Sequence, residues 1–257
     1  MGDRTSWRGG IIITVTMVDA ALEADELYIA LQPIVDLVRN RVFANEALLR
    51  SRSPHFTNPV PFLQEAVRTG KMGMLGRHLR AMAVTACPAT PLFVNVHPSE
   101  FDEGWLVRPD DAIFSHDHPV YLEITESVPI THFRWCHSVL AEMRSRGVML
   151  AIDDLGAGYS NLKYIADLTP EIVKLDRNLI AGLVKDSRTH RLIGHMVHLC
   201  AALGAQVIAE GVETREELEA VAAAGVTLVQ GYLLARPAFP IPTVNLDAIR
   251  TVRPLGH

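Results

Sequence analysis

Eight short apolar runs, separated by longer amphipathic stretches, constrain this chain more than any other feature. They are YIALQPIV, RVFANEALL, PLFVNVH, PVYLEIT, VMLAIDD, EIVKLD, AQVIAEGV and VTLVQGY, starting at Tyr28, Arg41, Pro91, Pro119, Val148, Glu171, Ala205 and Val226. Near-continuous apolar strands alternating with helices are the pattern of a parallel sheet covered on both faces. Eight of them in 257 residues predict the α/β class and a closed, TIM-like (β/α)8 barrel rather than an open sheet. Only DLVRNR joins the first two runs, which is too short for a crossover helix. Those two strands should therefore pair antiparallel, giving the barrel an antiparallel first strand.

The segments between the runs carry helix-end chemistry. THFRWCHSVLAEMRSRG opens with a capping Thr131 and closes at Gly147; TREELEAVAAAG has a capping box, Thr214 with Glu217, and closes at Gly225. SRTHRLIGHMVHLCAALG has apolar residues at helical spacing and closes at Gly204. No repeat, low-complexity tract or linker divides the chain. The expectation is a single barrel domain over residues 26–257, preceded by a loose N-terminal extension over residues 1–25.

The formal net charge of −5 and the lack of a basic run argue against a grip on long nucleic acid. Cys87, Cys136 and Cys200 stand in no ligand spacing, as in a reduced cytoplasmic protein. IIITVTMV, from Ile11 to Val18, is too short to span a bilayer, and no signal-cleavage site follows it, so no membrane association is expected.

Nearly every apolar run ends in a polar group: Glu46, Asn95, Glu123, Asp153 with Asp154, Lys174 with Asp176, Glu210, and Gln230. One acid at a strand end is turn chemistry, but seven polar strand ends would converge at the mouth of a barrel, where active sites of this architecture lie. Crowded carboxylates repel one another unless positive charge sits among them. Glu46, Asn95, Glu123, Asp153 and Asp154 offer only oxygen, which suits Mg2+ or Mn2+. Adjacent aspartates can help hold two ions, the arrangement that cleaves phosphodiesters. Lys174, in an otherwise apolar strand, should face acids; it could orient or acidify an attacking water. Glu210 could complete the second ion's shell or take a proton. His195 and His198, three apart on a helix, have no evident third ligand and read as a partly buried helical face. Gly156 and Gly158 lack the GK[ST] of a nucleotide-triphosphate loop.

In EALLR from Glu46, NVHPSEF from Asn95, EITE from Glu123, DDLGAGYSNL from Asp153, KLD from Lys174, AEGVET from Ala209 and QGYLLARP from Gln230, the sequence resembles the EAL-domain family of cyclic di-GMP phosphodiesterases. The resemblance implies metal binding by Glu46, Asn95, Glu123 and Asp153, with Asp154 and Glu210 on a second ion. It makes Lys174 the water-contacting lysine. It places Gln32, Leu48, Arg50, Asp176, Glu213 and Gln230 where the family holds its substrate or supports its metals. Glu126 matches a glutamate that steadies the loop after Asp154, although it reads equally as helix-start chemistry. The implied reaction opens cyclic di-GMP to linear pGpG, and a homodimer is the family's common assembly. The alternative is a relative that binds the dinucleotide or a partner protein without turnover. His97, Leu155, Ala157 and Asn161 depart from the family's usual residues without removing a metal ligand.

Overall fold

Each apolar run forms a strand, and the strands close on themselves. The computed structural model describes residues 4–8, 11–15, 17–53, 59–101, 104–125, 133–157, 162–250, 252 and 254. An antiparallel pair, β1 (Arg4–Arg8) and β2 (Ile11–Val15), precedes helix α1 (Met17–Glu23). Then come β3 (Leu27–Asp36), β4 (Arg41–Ser51), α2 (Pro59–Arg68), α3 (Met72–Ala86), β5 (Leu92–Asn95), β6 (Val120–Thr125) and α4 (Phe133–Ser145). They are followed by β7 (Met149–Leu155), α5 (Lys163–Leu168), β8 (Ile172–Leu175), α6 (Arg177–Ile180), α7 (Arg188–Ala202), β9 (Gln206–Ala209), α8 (Arg215–Ala223) and β10 (Leu228–Val229). Two 3-10 turns, Pro98–Phe101 and Ala112–Ser115, lie between β5 and β6.

The barrel closes in the order β10-β3-β4-β5-β6-β7-β8-β9. Strand β3 is antiparallel to both neighbours, and every other pair is parallel. The short link after β3 thus reverses the chain as expected, and the fold is the TIM-like barrel.

Strand alternation sorts the side chains into two cores. Val94, Leu122, Ile152, Val173 and Val207 face outward into the layer shared with the helices. Ile34, Ala44, Phe93, Tyr121, Ala151, Ile172, Ile208 and Leu228, one from each barrel strand, fill the interior. Phe93 stacks on Tyr121 with centroids 4.3 Å apart, and Phe43 leans on both. Burying a large apolar side chain this completely contributes about 1.5–3 kcal/mol. The barrel therefore has a dry floor.

Helix ends follow the sequence. Gly147, Gly204 and Gly225 all take positive φ after α4, α7 and α8. Thr214 and Glu217 form the capping box of α8, whereas Thr131 lies outside the described residues. His195 and His198 are a correction: both lie on the exposed face of α7. The buried stripe of that helix runs through His190, Ile193, Val197 and Cys200, one register away. Within the N-terminal extension, Val18 and Ala21 of α1 are buried against Leu27, Phe62 and Met72. Among the described residues no helix is long and apolar enough to cross a membrane.

Glu217 does more than cap. Its carboxylate accepts hydrogen bonds from the backbone N–H groups of Gly182 at 2.8 Å, Glu213 at 2.9 Å and Thr214 at 3.1 Å. Hydrogen bonds to a charged group contribute about 1.5–3 kcal/mol each. Glu217→Ala should therefore lower unfolding stability by at least ~2 kcal/mol in urea titrations; a loss below ~0.5 kcal/mol would show that the loop holds itself.

Candidate active site

The side chain two residues nearer the mouth than each floor residue points the same way, because a strand repeats every two residues. Above Ala44, Phe93, Tyr121, Ala151, Ile172, Ile208 and Leu228 stand Glu46, Asn95, Glu123, Asp153, Lys174, Glu210 and Gln230. In antiparallel β3 the count runs backwards, and Ile34 is overlain by Gln32. Eight strands thus supply one polar ring directly above one apolar floor. Register places Gln32 beside Glu46 and Asn95 beside Glu123.

Lys174 is the centre of the ring. Its Nζ lies 2.5 Å from Glu123 Oε1, 2.5 Å from Glu210 Oε1, 3.1 Å from Asp153 Oδ1 and 3.6 Å from Glu46 Oε2. The ammonium is 1% exposed and Glu123 equally so, with Glu46 and Asp153 also buried. Asn95 Nδ2 donates to Glu123 Oε2 at 3.0 Å and to Glu46 Oε1 at 3.4 Å. Gln230 Nε2 donates to Glu46 Oε2 at 2.8 Å, and Gln32 Nε2 donates to the Ala235 carbonyl at 3.2 Å.

Adjacent strand residues normally face opposite ways, so Asp153 and Asp154 cannot both face the mouth on a regular strand. Here the β7–β8 register shifts between Ile152 and Leu155, and Asp154 takes φ +60. A bulge with a left-handed residue re-aims one side chain. Asp153, Asp154 and Glu210 consequently bring one oxygen each to within 4.8 Å of one another.

One ammonium does not neutralise this group. Glu46, Glu123, Asp153 and Glu210 around Lys174 leave a formal charge of −3. Burial, then repulsion from Glu46, pushes the Glu123 carboxyl well above the usual range despite the pull of Lys174. Burial likewise drives Glu210 from 4.5 to about 8; Lys174 opposes the rise, and Asp153 and Glu46 add to it. For Lys174 burial acts downward, but Glu123, Glu210, Glu46 and Asp153 outweigh it and hold the ammonium charged. Glu123 Oε1 and Asp153 Oδ1 are buried, and their close contact is the Lys174 ammonium, which leaves lone pairs on both. An oxygen-only donor set with unused buried lone pairs fits hard divalent cations. As it stands the Asn95 amide donates; as a ligand it would present Oδ1 instead.

The remaining sequence candidates lie around the ring. Leu48 and Arg50 line a cavity of about 510 Å3 beside Asn95, His97 and Thr125. The Arg50 guanidinium donates to the Leu49 carbonyl at 2.8 Å. Asp176 caps α6 by accepting from the Asn178 N–H at 2.9 Å. Glu213 pairs with Arg177 at 2.6 Å. Glu126 and Asn161 lie outside the described residues. Arg177, which the sequence reading passed over, also donates to the Gly211 carbonyl at 2.8 Å, next to Glu210. Its only signal is a charge directly after the capping Asp176.

A barrel whose mouth carries a full polar ring of this kind defines a class, and comparison with known proteins gives the family. The profile of the EAL domain matches residues 16–237, so the chain belongs to the EAL domain family. It is 33% identical over 240 residues to the Cyclic di-GMP phosphodiesterase PA2567 of Pseudomonas aeruginosa, covering 88% of this chain and 41% of that protein. It is 31% identical over 231 residues to the Bifunctional diguanylate cyclase/cyclic di-GMP phosphodiesterase MucR of the same organism, covering 84% of this chain and 34% of that protein. The chain thus spans less than half the length of these relatives. Among solved structures, Klebsiella pneumoniae BlrP1 in its manganese and cyclic di-GMP complex superposes with a TM-score of 0.72 at 31% identity, covering 83% of this chain and 56% of that one.

The raised carboxyls predict an unusual pH dependence. Between about 4.5 and 8 the folded chain holds a proton on Glu210 that the unfolded chain has released, so stability should fall as pH rises through this window. Melting of the metal-free protein should drop from pH 5 to 8, and Glu210→Gln should reduce the slope. A melting temperature that rises across that range would contradict the acidic cluster.

Proposed function

We propose that this chain is a metal-dependent phosphodiesterase that hydrolyses cyclic di-GMP to linear pGpG. The observation that carries the reading is the ring itself: four carboxylates around one buried ammonium above a dry floor, with Asp154 on the rim. Glu46, Asn95, Glu123 and Asp153 would hold one Mg2+ or Mn2+, and Asp154 with Glu210 would hold a second. The ions supply Lewis acidity, which promotes ionisation of the attacking water and stabilises the departing oxygen.

The chain's own groups do the rest. Lys174 keeps a fixed positive charge at the ring centre, where it can orient the water by hydrogen bonding. Glu210 aims that ammonium through its 2.5 Å contact, its catalytic part. Arg50, at the cavity edge, offers charge to a phosphate, and Leu48 an apolar face to a base. Gln32, Asp176, Glu213 and Gln230 border the site and hold substrate or its supports. Glu126, assigned the steadying of the loop after Asp154, completes the set. Residues 26–257 would act as one barrel domain, as a homodimer, in the cytoplasm where cysteines stay reduced.

Purified protein incubated with cyclic di-GMP should release pGpG with Mg2+ or Mn2+ and none with EDTA, read by chromatography. Tight dinucleotide binding without release in either metal would instead establish a binding module. Glu46→Ala and Asp153→Ala should lose turnover about 100-fold or more together with Mn2+ affinity. Lys174→Ala should lose turnover by a similar factor yet bind Mn2+ at least as tightly, because the ammonium competes with the ions for the same carboxylates. Near-normal turnover in this variant would remove the role given to Lys174.

A further inference from the structure

A second buried charge cluster lies outside the ring, under the turn that follows Asn95. Arg80 of α3, Glu100 of the first 3-10 turn and Asp111 are each no more than 2% exposed. Arg80 Nη1 lies 2.6 Å from Glu100 Oε2, while its Nε and Nη2 lie 2.9 and 2.8 Å from Asp111 Oδ2. The other oxygen of Glu100, Oε1, accepts the backbone N–H of His97 at 3.0 Å. Glu100 N–H in turn donates to the His97 carbonyl at 2.9 Å. One carboxylate therefore ties helix α3 to backbone two residues beyond Asn95.

Gly76 shows how closely this tie is built. It stands one helical turn before Arg80 on the buried face of α3. A Cβ there would lie 2.1 Å from Glu100 Oε2 and 2.5 Å from its Cδ, so any larger residue would push the carboxylate out of this place. Its φ is not in the left-handed region, and the residue is needed for approach alone. Buried ion pairs add little net stability over apolar packing. What this one supplies is a fixed direction for the segment leaving β5. The Val96 N–H, bonded to the Glu123 carbonyl at 3.0 Å, anchors the same segment to β6.

We propose that Glu100 is a positioning residue for Asn95, setting the angle at which its amide meets Glu46 and Glu123 and hence the affinity of the ring for a divalent cation. The claim rests on the reading of Asn95 as a metal ligand given above. Groups that orient a ligand from behind typically alter metal affinity 10–100-fold when removed.

The test compares Mn2+ affinity, by calorimetry on the whole chain, with melting temperature in three variants. Glu100→Gln keeps an acceptor for the His97 N–H, so it should bind Mn2+ within about threefold of the parent even if it melts lower. Glu100→Ala and Gly76→Ala should bind at least about tenfold more weakly. Gly76→Ala is informative because alanine favours a helix over glycine, so a purely local effect would stabilise. Equal Mn2+ affinity in Glu100→Ala and parent, or equal loss in Glu100→Gln and Glu100→Ala, overturns the proposal. If the parent itself takes up no Mn2+, the metal reading fails, and the brace is judged by NMR of the metal-free protein. The Asn95 side-chain amide signals should then shift or broaden in Glu100→Ala but not in Glu100→Gln, and unchanged signals in both would sink the brace.

Discussion

Like charges held together in a dry place need a counter-charge, and that requirement organises the mouth of this barrel. Lys174 meets part of it by touching carboxylates from three other strands and the end of a fourth. In water such contacts would be weak; above a floor sealed by Phe93, Tyr121, Ile172 and Ile208 they are strong, and so is the residual repulsion. Proton uptake by Glu123 and Glu210 is one way to relieve it, and cation binding is another. Among the described residues Lys174 is the one cation within 4 Å of Glu46, Glu123, Asp153 and Glu210, so the balance is left to protons or to a bound cation.

Regular strand geometry does most of the assembly. Seven floor residues and seven ring residues differ by two positions, and β3 obeys the same rule in reverse because it runs the other way. The exception is informative. Asp154 joins the ring's rim only because β7 loses register and the backbone turns left-handed there. Asp is among the few residues that tolerate this conformation. The adjacent aspartates are thus a strand end broken on purpose, at the one place where two carboxylates must face a common point.

Around the ring, a second tier of charges fixes backbone rather than chemistry. Arg177 spans Gly211 and Glu213 beside Glu210, Glu217 gathers N–H groups of the loop after α6 and of the turn entering α8, and Arg80 with Glu100 ties down the segment after Asn95. Each connects a helix or loop of the outer layer to the exit of a barrel strand. The backbone leaving these strands is thereby tied to the outer layer.

The sequence by itself determined the barrel, the reversal after the first strand and the convergence of Glu46, Glu123, Asp153 and Lys174. These follow from short-range rules: apolar runs of strand length, a six-residue link too short for a helix, and a period of two. The EAL motifs added the family and its expected chemistry. Tertiary structure alone decided that His195 and His198 face outward, because a helix's phase is fixed by what it packs on. It alone brought Arg80, Glu100 and Asp111 together and gave Gly76 its purpose. Those residues are 4 to 35 positions apart, with no periodicity linking them, and a lone arginine in a helix reads as surface charge until packing buries it. Local pattern encodes which way a side chain points, but which distant charge meets it is settled only when the layers close.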